Sequence, residues 1–384
     1  MTFDHCALGE ICNFIDYRGK TPEKTTTGIP LITAKIVKNG FIQRPEEFIA
    51  EEAYDAWMRR GIPKYGSVIM TTEAPLGEVA RIDTDARLAF AQRIIILEPD
   101  ESRLDSQYLY YAMRDSVLLG RIKARATGTT VTGIKAAELK KVIIDFPDLD
   151  IQLRIAETLG SIDRKIRNNE LENDNLLQQA MAIFNDRYNS AAEQCPFTSL
   201  IHVLGGGTPK TGTPEFWNGD IPFFTPKDVG NPYTFQTEKM ITASGLEHCN
   251  SRLYPENTTF VTARGTVGKV SLAGKPMAMN QSCYALASDS IDPILVYFYT
   301  LRAVDSLKHK ASGAVFDAIV TRDFETEVVS VIPETESKAI LALIAPMMKS
   351  IHSNAEECIR LAALRDALLP RLMSGEIDIS GISI

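Results

Sequence analysis

The sequence predicts an α+β protein built by tandem duplication, with two α+β domains and two long helices, and three observations carry that expectation. Short β-branched runs such as "SVIM", "RIIIL" and "KVIIDF" are broken by Gly, Pro and Asn clusters, with one helical stretch in each half. Two long segments lack punctuation strong enough to stop a helix and place apolar residues at alternating spacings of four and three. Blocks of the first half recur in the second half in the same order.

The recurrence begins with "RGKTPEKTTTGIPLITAKIVKN" (Arg18 to Asn39) and "GGTPKTGTPEFWNGDIPFFTPKDVG" (Gly206 to Gly230). Both have a Thr-Pro opening with lysine beside it, an Ile-Pro before an apolar pair, and Thr-x-Lys after it. "VIMTTEAPLGEVARI" matches "TFVTARGTVGKVSLA" and lays Gly77 on Gly268 at an offset of 191; "AQRIIIL" matches "NQSCYAL" and lays Gln92 on Gln281 at 189. Further on, Arg114 falls on Arg302, Gly128 on Gly313 and Pro147 on Pro333, at offsets of 188, 185 and 186. Five blocks in one order with slowly drifting offsets define a repeated unit of roughly 185 to 190 residues.

Each unit changes texture once, which sets the expected boundaries: a compact domain over 1–148, a helix over 149–192, a second domain over 193–334, and a second helix with a C-terminal tail over 335–384. Within the domains, helices are expected near Tyr108 to Arg121 and Val296 to Lys308. In the first long segment Ile155, Leu159, Ile162, Ile166, Asn169, Asn173, Leu176, Ala180 and Ile183 form the seam. In the second it is Ile340, Ile344, Met347, Ile351, Asn354, Cys358 and Leu361. Sustained four-three spacing predicts that the helices pack on each other, and Gln152 to Tyr188 would span about 55 Å at about 1.5 Å per residue. Asn169 and Asn354 occupy matching seam positions, where a buried polar residue fixes register.

Composition removes several function classes. A chain of 384 residues with 45% apolar content can fill two cores. No segment approaches a membrane span, and "MTFDHCALGEICNF" lacks the order of a signal peptide, so a cytoplasmic protein is expected. Cys6, Cys12, Cys195, Cys249, Cys283 and Cys358 are scattered without zinc spacing, so neither a metal nor disulfides are expected. The five histidines do not pair between the halves, which leaves a duplicated histidine acid or base unsupported. "TGTTVTG" and "LGGGTPKTG" lack the spacing of a nucleotide phosphate loop. "GNPYT" is read as turn chemistry. The Glu138 to Lys140 stretch "ELK" has lost its lysine in the counterpart "FET", and Glu138 is read as a solvated helix residue.

What the two halves share is hydroxyls, glycines and isolated basic groups in loops, which suit phosphate and base-edge contacts. In the first half these are Lys20, Thr21, Lys35, Lys38, Arg125, Thr127, Gly128 and Thr129. In the second they are Thr208, Lys210, Lys227, Arg264, Lys310, Ser312 and Gly313. The net charge of −8 opposes nucleic-acid binding by the chain as a whole, yet "GRIKAR" and "LKHK" bunch basic residues just before the Gly-containing loops.

With these marks, together with "IPLITAKIV" and "IPFFTPKDV", "ATGTTVTGIKAAELKKVIIDFP" and "ASGAVFDAIVTRDFETEVVSVIP", and the terminal "LRDALLPRLMSGEI", the whole chain resembles the DNA-specificity subunits of type I restriction-modification systems. The family's proline-rich step and Glu-Gln at each helix start is reduced here to "FPDLDIQLRI", which keeps Gln152, and "IPETESKAI", which does not. The resemblance implies a non-catalytic subunit without a cofactor of its own. It implies that each target-recognition domain reads one half of a split site in double-stranded DNA, and that the helices pack antiparallel as a spacer. Two DNA methyltransferase (modification) subunits and a restriction/translocase subunit are the partners it implies. Heavy divergence between the shared blocks predicts an asymmetric target. A type IIB-like assembly would use a similar subunit, and a duplicated protein-interaction scaffold without DNA binding is the alternative from another class.

Overall fold

The computed structural model describes residues 2–17, 19, 21–128, 131–310 and 318–381. The chain divides into two compact units, residues 1–166 with 360–384, and residues 167–359.

In the first unit, strands Cys12–Asp16, Ile94–Pro99, Val68–Thr72 and Leu76–Arg81 form a four-stranded antiparallel sheet in that order. Its central strands are buried on both faces. Val68, Met70, Ile95 and Leu97 enter one cluster with the Ser106–Arg114 helix, while Ile69, Ile94 and Ile96 enter another with Ile29, Leu31 and Ile32. A strand covered on both sides has no polar face, which is why "VIM" and "IIIL" read as unbroken apolar runs. The second cluster is roofed by a smaller sheet ordered Phe48–Ile49, Ile29–Ile32, Ala89–Phe90, whose middle strand runs antiparallel to the first and parallel to the last. Strand Asp4–Ala7 pairs with Ile143–Phe146 and ties the two ends of the domain together.

The second unit repeats this plan. Its main sheet is ordered His202–Gly205, Cys283–Ala287, Thr259–Thr262, Val270–Ala273, Tyr233–Thr234, and its smaller one Lys239–Ile241, Trp217–Phe224, Ala278–Met279. The parallel register Leu31 to Ala89 and Ile32 to Phe90 recurs as Phe223 to Ala278 and Phe224 to Met279. Gln194–Pro196 pairs with Val328–Ser330 as the tie. The α+β duplication expected from the sequence is therefore present, with Tyr233–Thr234 added at the edge of the second main sheet.

The domain helices differ from expectation in one respect. In place of one helix near Tyr108 to Arg121 there are two, Ser106–Arg114 and Ser116–Ala124. Asp115 between them is extended (φ −68°, ψ 141°), and its carboxylate accepts from the Val117 N–H at 3.0 Å, capping the second helix. The second unit has one unbroken helix there, Pro293–Lys310.

Two long helices run over Leu149–Ser190 and Glu334–Met373. They are antiparallel within each unit: Asp163 meets Arg365 in the first, and in the second Asn169 meets Glu357 while Asn173 meets Asn354. Ile155, Leu159, Ile162, Ile166, Asn169 and Ala180 are buried, as are Ile340, Ile344 and Ile351. The seam then departs from the four-three series. Phe184 and Tyr188 are buried in place of Ile183, Met348 in place of Met347, and Arg365, Leu369 and Leu372 beyond a half-buried Leu361. An undistorted α-helix drifts against a strict seven-residue repeat, so steps of four take over where a helix packs on a domain core. Phe184 does this, stacking on Phe298 at 5.4 Å. Among the described residues no helix is long and apolar enough to cross a membrane, and no group of three or more His, Cys, Asp or Glu is placed to hold a metal.

The start of the first long helix is pinned by Gln152, which is fully buried. Its Oε1 accepts from the Asp105 N–H at 2.9 Å, and its Nε2 donates to the carbonyls of Arg103 and Pro147 at 2.9 and 2.8 Å. At the start of the second helix Ser337 turns back, its hydroxyl donating to the Ile332 carbonyl at 3.2 Å.

Candidate nucleic-acid interface

The site follows from the parallel strand pair of each small sheet. Parallel neighbours end on the same side, so the segments after Ile32 and Phe90 leave together, joined by Ala91 N–H on the Ile32 carbonyl at 2.9 Å. Between them lies a depression of about 380 Å³ lined by Thr21, Lys24, Lys35, Lys38, Gln92 and Arg93 with Ala74 and Pro75. The structure thus gathers three of the expected residues, Thr21, Lys35 and Lys38, around one concavity. Gly133 bridges to Glu73, whose carboxylate holds Arg93 Nε at 2.8 Å, and this brings the Thr127 loop alongside. Gly128 is obligatory there: φ is +123°, and a Cβ would fall 2.1 Å from the Val131 carbonyl oxygen. Lys20 and Thr129 lie outside the described residues.

The second unit builds the same corner with other side chains. Asn280 N–H donates to the Phe224 carbonyl at 3.0 Å, so the segments carrying Lys227 and Gln281 emerge together. The Thr208 hydroxyl donates to the Gln281 side-chain oxygen, and Arg264 N–H donates to the Ser282 carbonyl at 3.3 Å. Thr266 on the Arg264 loop donates to the Pro226 carbonyl at 3.2 Å. Thr208 therefore touches Gln281, and the backbone of the Arg264 loop joins the segments that carry Gln281 and Lys227. Lys210 is tied instead to the start of this strand: its carbonyl accepts from the Trp217 indole at 3.2 Å, and Lys239 Nζ lies 5.5 Å over that ring. Gly230 N–H donates to the Thr234 hydroxyl at 2.8 Å, the turn expected of "GNPYT". Ser312 and Gly313 lie outside the described residues.

The cations fall into two electrostatic classes. Lys35 lies 3.9 Å from Glu46 and Lys227 3.4 Å from Glu238, all four side chains being well exposed. Solvated pairs of this kind add little stability, so an incoming phosphate can replace the carboxylate at small cost. Arg125 and Lys310 are turned the other way, onto the protein. Arg125 meets Glu138 at 3.1 Å, and Lys310 meets Glu327 at 2.6 Å, where the Glu327 side chain is only 1% exposed. Glu138, read from sequence as solvated, also takes Lys141 at 2.7 Å, and these contacts hold its carboxyl below the ordinary glutamate range. Lys24, Arg93, Trp217 and Lys239 were missed by sequence reasoning. Gln92 and Gln281 had a visible signal, since they superpose in the repeat.

Two copies of one sheet corner, each lined by a different set of basic and amide groups, define a duplicated recognition protein. The chain belongs to the family described as the type I restriction modification DNA specificity domain, which matches residues 2–179 and again 193–360. It is 23% identical to the type I restriction enzyme MjaIX specificity subunit of Methanocaldococcus jannaschii, over 97% of this chain and 92% of that protein. The HindI specificity subunit of Haemophilus influenzae is 30% identical over 48% of this chain and 41% of its own length. Among solved structures, the type I restriction-modification S subunit from M. genitalium shares the fold with a TM-score of 0.60 at 15% identity, covering 97% of this chain and 96% of that one.

Proposed function

We propose that the chain is the sequence-specific DNA-recognition subunit of a type I restriction-modification complex, without a catalytic site of its own. One observation carries this reading within the family: the backbone corner is the same in both units, down to the register of the parallel strands, while its lining differs. A constant scaffold with a changed lining suits two readers of unrelated half-sites. Residues 1–148 and 193–334 act as the recognition domains. The helices within 149–192 and 335–384 set the gap between half-sites and receive two modification subunits, with a restriction/translocase subunit completing the complex. Thr21, Lys35, Lys38, Thr127, Gly128, Thr208, Lys210, Lys227 and Arg264 face the DNA. Asn169 and Asn354 fix helix register. The complex works on double-stranded DNA in the cytoplasm.

The test is co-purification with the proteins encoded beside this one, followed by mapping of modified adenines in genomic DNA. A bipartite, asymmetric motif with a fixed gap is the expected result. A stable complex that leaves DNA unmodified would overturn the proposal and favour the scaffold alternative.

A further inference from the structure

The pairing face of the two long helices carries nearly the same residues twice at a constant step of 185. Ile155, Leu159, Ile166 and Asn169 fall on Ile340, Ile344, Ile351 and Asn354. Two seam positions break the likeness: the neutral Asn173 falls on Cys358, and in the one charged layer the same step carries Asp163 onto Met348 and takes Arg365 back onto Ala180.

In the first unit Asp163 and Arg365 meet, Nη1 to Oδ1 at 2.7 Å, with side chains 9% and 10% exposed. The Tyr111 hydroxyl donates to Asp163 Oδ2 at 2.7 Å, and Arg114 Nη1 lies 3.5 Å from the same oxygen. Burial, and then the charge of Asp163, raise the Tyr111 pKa, so the phenol remains a donor. Arg114 also donates to the Tyr110 hydroxyl at 2.6 Å, which in turn donates to the Gly40 carbonyl at 3.1 Å. In the second unit the counterparts Ala180 and Met348 are buried in one apolar cluster.

We propose that this layer decides which helix pairs with which, so that the pairing face accepts the opposite half of the chain and rejects a second copy of its own half. The inner layers discriminate less: a second copy of the second half offers Asn354 Cys358 in place of Asn173, but the step also sets Glu357 of that half opposite Asn354. Asn169 bonds Glu357 at 2.7 Å and Asn354 bonds Asn173 at 3.0 Å, and the step of 185 would offer Asn169 a comparable Glu172 from a second first half. The outer layer does discriminate. Two first halves would each set Asp163 against Ala180, leaving it Tyr111 and Arg114 but no Arg365. Two second halves would each set Arg365 against Met348, with Asp366 on its own helix as the remaining carboxylate. By symmetry every like pair contains two such faults, and the unlike pair contains none. A buried ion pair contributes little against an apolar equivalent, but a buried charge that loses its main buried partner is unfavourable, so the device acts through the wrong pairings.

The test starts from the folded full-length chain carrying a protease site between Ser190 and Gln194, where the first long helix has ended. After cleavage, isotopically labelled and unlabelled preparations are mixed at low concentration, and native mass spectrometry counts unlike and like pairs. The wild-type sequence is expected to remain almost entirely unlike. The D163N/R365M variant, in which the introduced amide oxygen still accepts from Tyr111, is expected to move towards a statistical mixture with about half unlike pairs. A variant that keeps the wild-type proportion, or a wild type that redistributes, overturns the proposal. A second measurement uses the uncleaved chain: urea midpoints of D163N, R365M and the double variant should be non-additive, with R365M alone lower than the double. An additive cycle overturns the proposal equally.

Discussion

The two repeats solve the same packing problems with different side chains, and the contrast separates what the backbone needs from what each domain does. Gly77 and Gly268 both take positive φ beneath the domain helix, yet the atom pressed on them is Leu119 Cδ1 in one and Lys308 Cε in the other. Lys308 then donates to the Gly268 carbonyl at 2.6 Å. Val142 and Glu327 are each 1% exposed, and their carbonyls accept the equivalent N–H groups of Leu8 and Phe197 at 2.9 and 2.8 Å. A buried carboxylate has therefore taken the place of an aliphatic side chain, and Lys310 neutralises it. The turn, the close approach and the strand tie recur, while the chemistry that fills them drifts.

Predictions that break this comparison can be ordered by size. Phe184→Ala empties a fully buried stack against Phe298, Tyr188 and Tyr299 and should cost about 4 kcal/mol. The same position in the second helix is Leu369, at the edge of the other core, and Leu369→Ala should cost about 2 kcal/mol; chemical denaturation compares the two. Gln152→Ala strands two buried carbonyls and an N–H and should cost about 2 to 3 kcal/mol. Ser337→Ala, its counterpart at the helix step of 185, loses a single hydroxyl contact with the Ile332 carbonyl and should cost less, about 1 kcal/mol.

A third contrast sharpens the buried carboxylate. Lys310→Ala leaves Glu327 without its cation and should destabilise by about 1 to 3 kcal/mol. Glu327→Val restores the first repeat's solution and should be neutral or stabilising; a large loss would mean that the carboxylate has a further partner. The smallest effect on stability is expected at Lys35 and Lys227, whose ion pairs are solvated. Their alanine variants should melt like the wild type, weaken binding to all DNA sequences alike and flatten the salt slope by about one unit each. An unchanged slope for both removes these residues from the interface.

The duplication, the strand runs and most of the helix seam were legible because they are periodic, and periodicity survives divergence. The Asp115 break was not, since a capping aspartate inside an apolar helix pattern resembles any surface residue until its backbone is seen. Arg365 was hidden for a related reason: one charged residue in an apolar face looks like an exposed flank, and its partner Asp163 is distant in sequence. Within the site, Lys35 and Lys227 stood out as repeated lysines. Arg125 and Lys310 carried the same signal but are drawn onto Glu138 and Glu327, and spacing alone does not distinguish a phosphate ligand from the cation of an internal clasp.

The division of the chain also bears on the order in which it is made. Residues 167–359 form their unit from one uninterrupted stretch, whereas the other unit needs both 1–166 and 360–384. As the polypeptide leaves the ribosome, the first domain begun is the last one finished. Until the segment bearing Arg365, Leu369 and Leu372 emerges, the apolar surface around Leu109 and Ile155 that they cover stays open, so the nascent chain must carry an exposed hydrophobic face while the whole intervening unit is synthesised.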